Sequence, residues 1–581
     1  MSAVTSTNAS KLLMFWRCIR AILLSVGMQY FLLTVFLLSV NFQLFHPLVW
    51  LATTLRLVCS LYTWFASIPL IGAVVLYGVI LCQQHLVERR YCATRYRWLL
   101  QNGVRKALFL SAHLLVGYLT AWLYTGYLHS DYRHLIYKCY GQDCLSSYNV
   151  FLLGMGTTAG LYYYALEHLR NGESLHFYIV NQPRAQKFRE LLLAALSKAP
   201  TMAVAPTLGY TFIFWLLGSL VRHKLSQLFG VEVDEQLVGI LDLATNVRLL
   251  FYAWLLTVQI MSNMHLLRHF SAMLLAEDLP LVIARSRTAF VNEQELTLVS
   301  ALSVFNVYVV QCVAARFFYN LTISPNSSAR MEIFLLTEPG NRPANWRALC
   351  DQCLSIIVGF TDELADSISN ISVVKGPQSF TPPPNDANAK ILAEKILLRQ
   401  YNQLHGIRPI MTPMSELSAE QQLQQKSEHI RRMPNWCERI SGQLEASVQR
   451  LLQRIPFLVY FFHESEGAKT AYLLNNALPI YWLSQALAHL CVSSIKEDRY
   501  GVVQSDLPAI FKALHRLKRE LDMLATAMAS TTRAPNKNFN MLRCAVQRSL
   551  YIMCSSFYDY LGEVVPAGEE LHQLQALVLH D

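Results

Sequence analysis

Few side chains in this 581-residue chain have an obvious chemical use, and they are scattered. His113 lies inside an otherwise uncharged apolar stretch, and Glu167 and His168 are neighbours beside a basic loop. A histidine next to a carboxylate can transfer protons. We expect His113 to hydrogen-bond within a helix bundle, however, and Leu166-Glu167-His168 is typical of a solvated helix end. No P-loop, G-x-G-x-x-G, H-E-x-x-H or G-x-S-x-G motif is present, so the sequence indicates no known catalytic centre.

Thirteen cysteines are dispersed along the chain. Cys350 and Cys353 form a lone C-x-x-C, whereas a zinc site requires a second pair of cysteine or histidine ligands. We therefore predict two buried thiols on one face of a helix, and no metal or cofactor. Cys139 and Cys144 share one loop and are candidates for a local disulfide if the loop faces an oxidising compartment.

Six apolar stretches within the first 267 residues are the elements that would position these side chains. A bilayer core about 30 Å thick requires about 20 apolar residues of helix. Five stretches reach this length, and we expect the short fourth one to be tilted, or extended at its ends. No cleavage site follows the first stretch, which is typical of a signal anchor. The stretches are 21–40, 58–82, 107–127, 150–166, 201–221 and 249–267.

Small residues in the fourth stretch predict close helix packing. Gly154, Gly156 and Gly160 have the spacing that lets two membrane helices approach each other. They could join two copies of the protein, or pack helices within one bundle, and we favour the second interpretation. Pro206 and Gly209 in the fifth stretch predict a bend of the kind that is common in membrane helices.

The loops between the stretches alternate between many and few basic residues. Fourteen lysines and arginines lie on one side and six on the other. Because basic residues favour the cytosolic side, both chain termini are predicted to be cytosolic. This side carries all four N-glycosylation sequons, which we therefore expect to be unmodified. The sequons begin at Asn8, Asn320, Asn326 and Asn370.

The net charge of +10 belongs to the membrane half, since the residues after Leu267 hold equal numbers of acidic and basic side chains. This half is expected to meet the head groups of membrane lipids. A neutral C-terminal half gives no support for nucleic-acid binding, which favours a basic face.

The C-terminal half has the periodicity of a helix bundle. In 507–528, apolar residues recur at steps of three and four. We predict a connector over 268–345 and an all-α domain over 346–581, interrupted by loops at 375–388 and 405–435. Thr381 and Thr412 precede prolines in these loops and are weak candidates for phosphorylation. Within the connector, 296–318 is predicted to be a helix that lies on the membrane or is buried, with a seventh span as the alternative.

A turn precedes the predicted C-terminal domain. The stretch Pro339-Gly340-Asn341-Arg342-Pro343 predicts a rigid turn. Asn345 is then placed to cap a helix that begins at Trp346, with the indole as a packing anchor.

Six spans, short lumenal loops and this Pro-Gly-x-x-Pro-x-Asn-Trp turn resemble the transmembrane nucleoporins of the nuclear division cycle protein one family. The similarity continues through the helix after the turn and the Ile333-Phe334-Leu335-Leu336 run before it. The resemblance implies a protein of the pore membrane that anchors the inner ring of the nuclear pore complex. It implies three kinds of partner: the membrane-associated inner-ring nucleoporin with an RRM-like domain, the WD-repeat nucleoporin ALADIN, and other pore-membrane nucleoporins.

Two other functions remain open from the residues alone. A transporter would be favoured by an inverted repeat or by paired ionisable groups inside spans, and only His113 and Pro206 point towards it. A membrane-bound lipid-modifying enzyme would need a membrane-facing histidine with an acidic partner, and Glu167-His168 is the nearest candidate. A membrane anchor and scaffold agrees better with the nearly uncharged spans.

Overall fold

The computed structural model describes most of the chain, and nearly all of its elements are helical. The described residues are 2–43, 45–87, 89–139, 142–170, 175, 177, 183–233, 237, 239–283, 296–304, 307–325, 327–336, 342–374, 460–462, 467–529, 537–566 and 568–579. The chain forms two compact units. Unit 1 comprises Met1–Tyr91, Leu99–Ala365 and Lys469–Asp581, and unit 2 comprises Cys92–Trp98 and Asp366–Ala468.

Six helices among the described residues are long and apolar enough to cross a membrane. Five coincide with predicted spans, and the prediction of an α-helical membrane protein is confirmed. These five are α1 (Ser2–Val40), α3 (Leu61–Leu86), α4 (Arg95–Thr125), α7 (Arg184–Phe229) and α9 (Val247–Leu275). The sixth is the C-terminal helix Leu478–Glu497, which the sequence placed in the soluble domain.

The predicted fourth span coincides with α6 (Ser147–Tyr164), which is not one of those six helices. A π-helix, Ala165–Arg170, continues α6 without a break. The combined helix of about 24 residues would be roughly 36 Å long, which exceeds the bilayer core. Because the backbone of α6 touches that of α4, we place α6 inside the same membrane bundle.

The membrane helices differ in how much of their surface other helices cover. In the most apolar window of α9, 78% of the residues are buried, against 28% in that of α7. The helices α1, α3, α6 and α7 all pack on α9. We conclude that α9 is the central helix of the bundle, whereas α7 presents most of its apolar surface to lipid.

Short elements occupy the loops between the long helices. Three strands form one small sheet in the order β1-β2-β3, with β1 antiparallel to β2 and β2 parallel to β3. The sheet joins the two loops at 128–149 and 222–248, so these loops lie on the same side of the bundle. The elements are α2 (Pro47–Val58), α5 (Ser130–Arg133), β1 (Ile136–Cys139), β2 (Gln142–Leu145), β3 (Glu232–Val233) and α8 (Ile240–Thr245).

The connector is divided into short helices. The predicted helix at 296–318 is two helices, α10 (Leu298–Leu302) and α11 (Tyr308–Ile323), with a break between them. Neither reaches the length of about 20 residues that a membrane span requires. Next come α12 (Ser327–Phe334) and the long α13 (Ala344–Val374), which extends into unit 2.

The last part of unit 1 is a helix bundle around Leu478–Glu497, here α15. Trp482, Leu487 and Leu490 of α15 are buried, and α11 and the helix Lys537–Ser556 pack along it. This enclosure explains why α15 is as apolar as a span without lying in the membrane bundle. The other helices are α14 (Ala468–Asn475), α16 (Leu507–Ala529), α17 (Lys537–Ser556), α18 (Leu561–Val564) and α19 (Glu569–Leu579).

Little of unit 2 is described. Within it, the Arg95 guanidinium lies 3.7 Å from the centroid of the Tyr460 ring, and the rings of Tyr96 and Phe462 stack at 4.7 Å. The predicted loops at 375–388 and 405–435, with Thr381 and Thr412, lie outside the described residues.

Candidate functional site: the junction between the membrane helices and the C-terminal helices

The C-terminal end of α9 is the centre of the junction. The last carbonyls of a helix lack partners within it and carry a partial negative charge, which favours a cation. Arg17 of α1 is buried there. Its guanidinium donates to the carbonyls of Leu274 and Leu275 at 3.4 Å and to that of Asp278 at 2.7 Å. The first membrane helix thereby caps the last one across some 260 residues of sequence.

A second buried arginine reaches the same helix end from the C-terminal half. Arg316 of α11 is only 2% exposed. Its guanidinium donates at 2.6 Å to both the Ala276 carbonyl and the Asp278 carboxylate. Arg184, which is exposed at the start of α7, forms an ion pair with Glu277, whose side chain is 20% exposed. Helices α1, α7 and α11 thus converge on the few residues that end α9.

A third contact joins the loop after α3 to the C-terminal helices. The Arg89 side chain donates to the Asn476 amide oxygen at 2.7 Å, and its guanidinium lies 4.1 Å from the centroid of the Tyr308 ring. The Arg89 carbonyl accepts a hydrogen bond of 2.8 Å from the Tyr472 hydroxyl. Arginine suits this position because its planar group can stack on a ring and donate at its edge.

Glu167 and Arg268 form a buried ion pair where α6 and its π-helical extension meet α9. In α4, His113 is fully buried, and its Nδ1 lies 2.7 Å from the Phe109 carbonyl. The His113 ring is also in edge contact with Tyr77 at 4.6 Å. Such contacts are typical of a polar group that holds membrane helices together.

The predicted turn leads into a helix start that is packed against other C-terminal elements. Trp346 is fully buried, and its indole N–H donates to the Asp506 carboxylate at 2.7 Å. Asp506 directly precedes α16, so one hydrogen bond connects the starts of α13 and α16. Helix α13 begins at Ala344, and Asn345 therefore lies inside its first turn, where its amide donates to the Glu332 carbonyl at 3.4 Å. Pro343 stands just before the helix, and Pro339 and Gly340 lie outside the described residues.

Arg330 forms a two-pronged ion pair with Glu497, with N···O distances of 3.1 and 2.6 Å. The same guanidinium donates to the Thr322 carbonyl at the end of α11, at 3.1 Å. Glu497 ends α15, and hydrogen bonding to its carboxylate raises the pKa of Arg330. The pair therefore connects α11, α12 and α15 through one charged group.

Comparison with known proteins assigns the chain to a family. Residues 12–575 match the family described as Nucleoporin protein Ndc1-Nup. This chain belongs to the Ndc1 family of nucleoporins. It is similar to Nucleoporin Ndc1 of Drosophila melanogaster, with 60% identity over the whole of both chains. It is also similar to Nucleoporin NDC1 of Homo sapiens, with 21% identity over 96% of each chain.

Family membership confirms the resemblance drawn from the turn and the layout of the spans. As an Ndc1 nucleoporin with membrane-spanning helices, the protein belongs to the pore membrane of the nuclear envelope and to the nuclear pore complex. The family suggests a structural role rather than catalysis.

The glycines of α6 pack against helices of the same chain. A Cβ on Gly156 would lie 2.6 Å from the Gly117 carbonyl oxygen of α4, and one on Gly160 would lie 2.4 Å from the His113 carbonyl oxygen. A Cβ on Gly154 would meet the Tyr210 hydroxyl of α7. Only glycine allows the backbones of α4 and α6 to come this close.

Cys139 and Cys144 are paired in a disulfide that closes the β1–β2 hairpin. Cys350 and Cys353 lie buried on one side of α13. Burial raises the pKa of the Cys350 thiol to about 12 and that of Cys353 well above its usual range. Thiolates are the form that binds metals, and no cluster of three or more candidate metal ligands occurs among the described residues.

Sequence reasoning missed the roles of Arg17, Arg89 and Arg316 at the junction. Arg17 and Arg89 entered only the count of basic residues that predicts the topology, and Arg316 was assigned no role. Arg316 could have been singled out from the sequence, because it is the first charged residue after the uncharged stretch 296–315. Its partners at the end of α9 are 38 and 40 residues away, and no local pattern identifies them.

Proposed function

We propose that this Ndc1 nucleoporin anchors the inner ring of the nuclear pore complex to the pore membrane and supports pore assembly, without catalysis. The observation that carries the proposal is the shared cap of α9. Arg17 from the membrane half and Arg316 from the C-terminal half bind adjacent carbonyls of one helix end. A force applied to the C-terminal helices would therefore reach the central membrane helix directly.

Both chain termini and the C-terminal helices are proposed to face the cytosol and the pore. Lysines and arginines are more numerous on that side, fourteen against six. Arg17, Arg89 and Arg184 come from three different segments assigned to it, and all lie at the junction. The two loops that form the β-sheet are assigned to the lumen, where a disulfide such as Cys139–Cys144 is stable.

The proposed protein partners follow from the family. They are the membrane-associated inner-ring nucleoporin with an RRM-like domain, ALADIN and other pore-membrane nucleoporins, while nuclear membrane lipids surround the spans. Four tyrosines on the C-terminal helices and their loops support a protein-binding role, because exposed tyrosines are enriched at interfaces. Exposed fractions are 60% for Tyr500, 36% for Tyr551, 43% for Tyr558 and 60% for Tyr560.

Localisation and sidedness can be tested together on the tagged endogenous protein. We expect a punctate nuclear rim that coincides with pores. In sealed nuclear-envelope vesicles, added protease should remove a C-terminal tag without detergent. A smooth reticular signal would contradict the pore assignment, and a protected tag would contradict the sidedness.

Anchoring can be tested by replacing the endogenous protein with Arg316→Met. We expect the inner-ring nucleoporin to decrease at the nuclear rim while the variant itself remains in the membrane. Arg184→Met, which removes an exposed ion pair at the same helix end, is the matched control and should retain the inner ring.

A further inference from the structure

The short helix α2 lies at the end of the bundle opposite the junction. Arg17 places the N-terminal part of α1 at the junction, so the last turn of α1 is at the other end. There the Trp50 indole of α2 donates to the Leu38 carbonyl at 3.0 Å, and its ring packs edge-on against Phe42 at 5.1 Å. The helix therefore folds back beside the final turn of a membrane span, at the depth where tryptophan favours the bilayer interface.

The surface of α2 is divided into faces by helical spacing. Trp50 and Thr54 face the bundle, and Thr54 is fully buried. Leu48, Leu51 and Leu55 recur at steps of three and four and form a second face. Their side chains are 81%, 47% and 50% exposed. An exposed face of three leucines is an apolar patch with no covering element among the described residues.

The polar groups of α2 already have partners within the protein. The Thr53 hydroxyl donates at 2.9 Å to the carbonyls of Val49 and Trp50. The Thr54 hydroxyl also donates to the Trp50 carbonyl, at 2.9 Å. Arg56 is the one formally charged residue of the helix, and it is exposed on the side of Thr53, away from the leucine face. A helix can lie in or beside the hydrocarbon core of a bilayer when its polar groups are hydrogen-bonded within the protein.

The leucine face also continues an apolar surface at this end of the bundle. Phe45 just before α2 is 87% exposed, and Leu61 and Phe65 at the start of α3 are 75% and 69% exposed. Helix α3 is a candidate span, so its exposed apolar side chains face lipid. Such continuity with a lipid-facing surface favours a lipid occupant over a protein one.

We propose that α2 is an interfacial membrane helix, and that Leu48, Leu51 and Leu55 are inserted among the phospholipid acyl chains of the leaflet opposite the junction. Thr53 and Arg56 then lie at the level of the head groups and water. In the proposed orientation this is the lumenal leaflet. The protein would hold the bilayer through its spans and also through a wedge in one leaflet only.

The test uses the full-length protein in phosphatidylcholine vesicles, with a small environment-sensitive fluorescent amino acid at a single site. The sites are Leu48, Leu55 as an independent second position, and Thr53 as the matched control on the other face. Phe212 of α7, which is 58% exposed on a candidate span, is the reference for a lipid-facing position. Quenching is measured with nitroxide-labelled acyl chains and with aqueous iodide.

We expect the nitroxide lipid to quench the probe at Leu48 and Leu55 about as strongly as at Phe212, and several-fold more than at Thr53. Iodide should show the reverse order. Quenching of Leu48 and Leu55 by iodide but not by the lipid would overturn the proposal. Resistance of both sites to both quenchers would also overturn it, because a protein surface would then cover the leucine face.

Discussion

The two ends of the membrane bundle hold polar groups in different ways. At the junction, the buried side chains of Arg17, Arg316 and Glu167 belong to ionic or helix-capping contacts between elements far apart in sequence. At the opposite end, a disulfide closes the β1–β2 hairpin, β2 pairs with β3, buried Arg222 donates to the Ser147 hydroxyl, and α2 exposes apolar side chains. The difference suggests that one end is built to connect the membrane helices to other protein, and the other end to remain against lipid and lumen.

Buried charges explain why the junction should be the more sensitive end. Removing one partner of a buried ionic contact leaves the other without compensation, and this cost usually exceeds that of losing a surface pair. At the opposite end, Arg222 is also buried, and its guanidinium donates at 3.1 Å to the Ser147 hydroxyl, which is a neutral acceptor. Substitutions at the two ends should therefore differ in how much stability they remove and in how far their effect spreads through the protein.

The largest effect is expected for Arg316→Met. It removes two charge-assisted hydrogen bonds of a buried guanidinium, one to the Ala276 carbonyl and one to the Asp278 carboxylate, which is 39% exposed, at a cost on the order of 3 kcal/mol. Thermal unfolding of the detergent-solubilised protein measures it. Arg184→Met should cost less than about 1 kcal/mol, since Arg184 is 87% exposed. Equal losses for the two variants would remove the contrast between buried and exposed charge.

The second-largest effect is expected for Gly156→Ala, in the middle of the bundle. The added Cβ would lie 2.5 Å from the Ala121 Cβ and 2.6 Å from the Gly117 carbonyl oxygen, so α4 and α6 must separate, at a cost of about 2–3 kcal/mol. Both ends should loosen, as measured by hydrogen exchange. Gly72→Ala in α3 is the control, because a Cβ there meets nothing within 4 Å. Equal hydrogen exchange in the two variants would contradict the close approach of α4 and α6.

A smaller and more local effect is expected at the β1–β2 hairpin. Replacing both Cys139 and Cys144 by serine removes a cross-link over five residues of sequence, which should cost about 2 kcal/mol of local stability. Limited proteolysis should then cut within 128–149, while the junction remains protected. Loss of protection at the junction would show that the two ends are not independent.

The smallest effect is expected for Trp346→Phe. An aromatic ring remains next to Phe334, but the hydrogen bond to Asp506 is lost, at a cost of about 1 kcal/mol. Chemical unfolding should show a reduced midpoint. The result sharpens the role of the turn, since an unchanged midpoint would mean that the indole acts by packing alone.

Hydropathy and periodicity predicted the parts of the fold that depend on local sequence. The positions of α1, α3, α4, α7 and α9 follow from apolar runs, and α16 from its apolar stripe. The apolar composition of α15 matches that of a membrane span. Only the structure shows the reason for it, which is that other helices enclose α15. Local sequence also could not show that α6 gains length from a π-helical turn at Ala165–Arg170.

The junction depends on contacts that no local pattern contains. Arg17 and its carbonyl partners are separated by 257 to 261 residues, so only the folded bundle brings them together. Helix α2 could not be predicted from the sequence, for another reason. Its apolar run of 12 residues is too short for a span and lacks the charged face that reveals a typical surface helix.

The central claim is that the C-terminal helices, and not the β1–β2 hairpin, hold the inner ring. Lysine-specific cross-linking of isolated nuclear envelopes, read by mass spectrometry, tests it directly. Lys512 and Lys537 are exposed on the C-terminal helices, and Lys138 is exposed on β1. The account predicts links from Lys512 or Lys537, and none from Lys138, to the membrane-associated inner-ring nucleoporin. Links to that protein from Lys138 alone would contradict it.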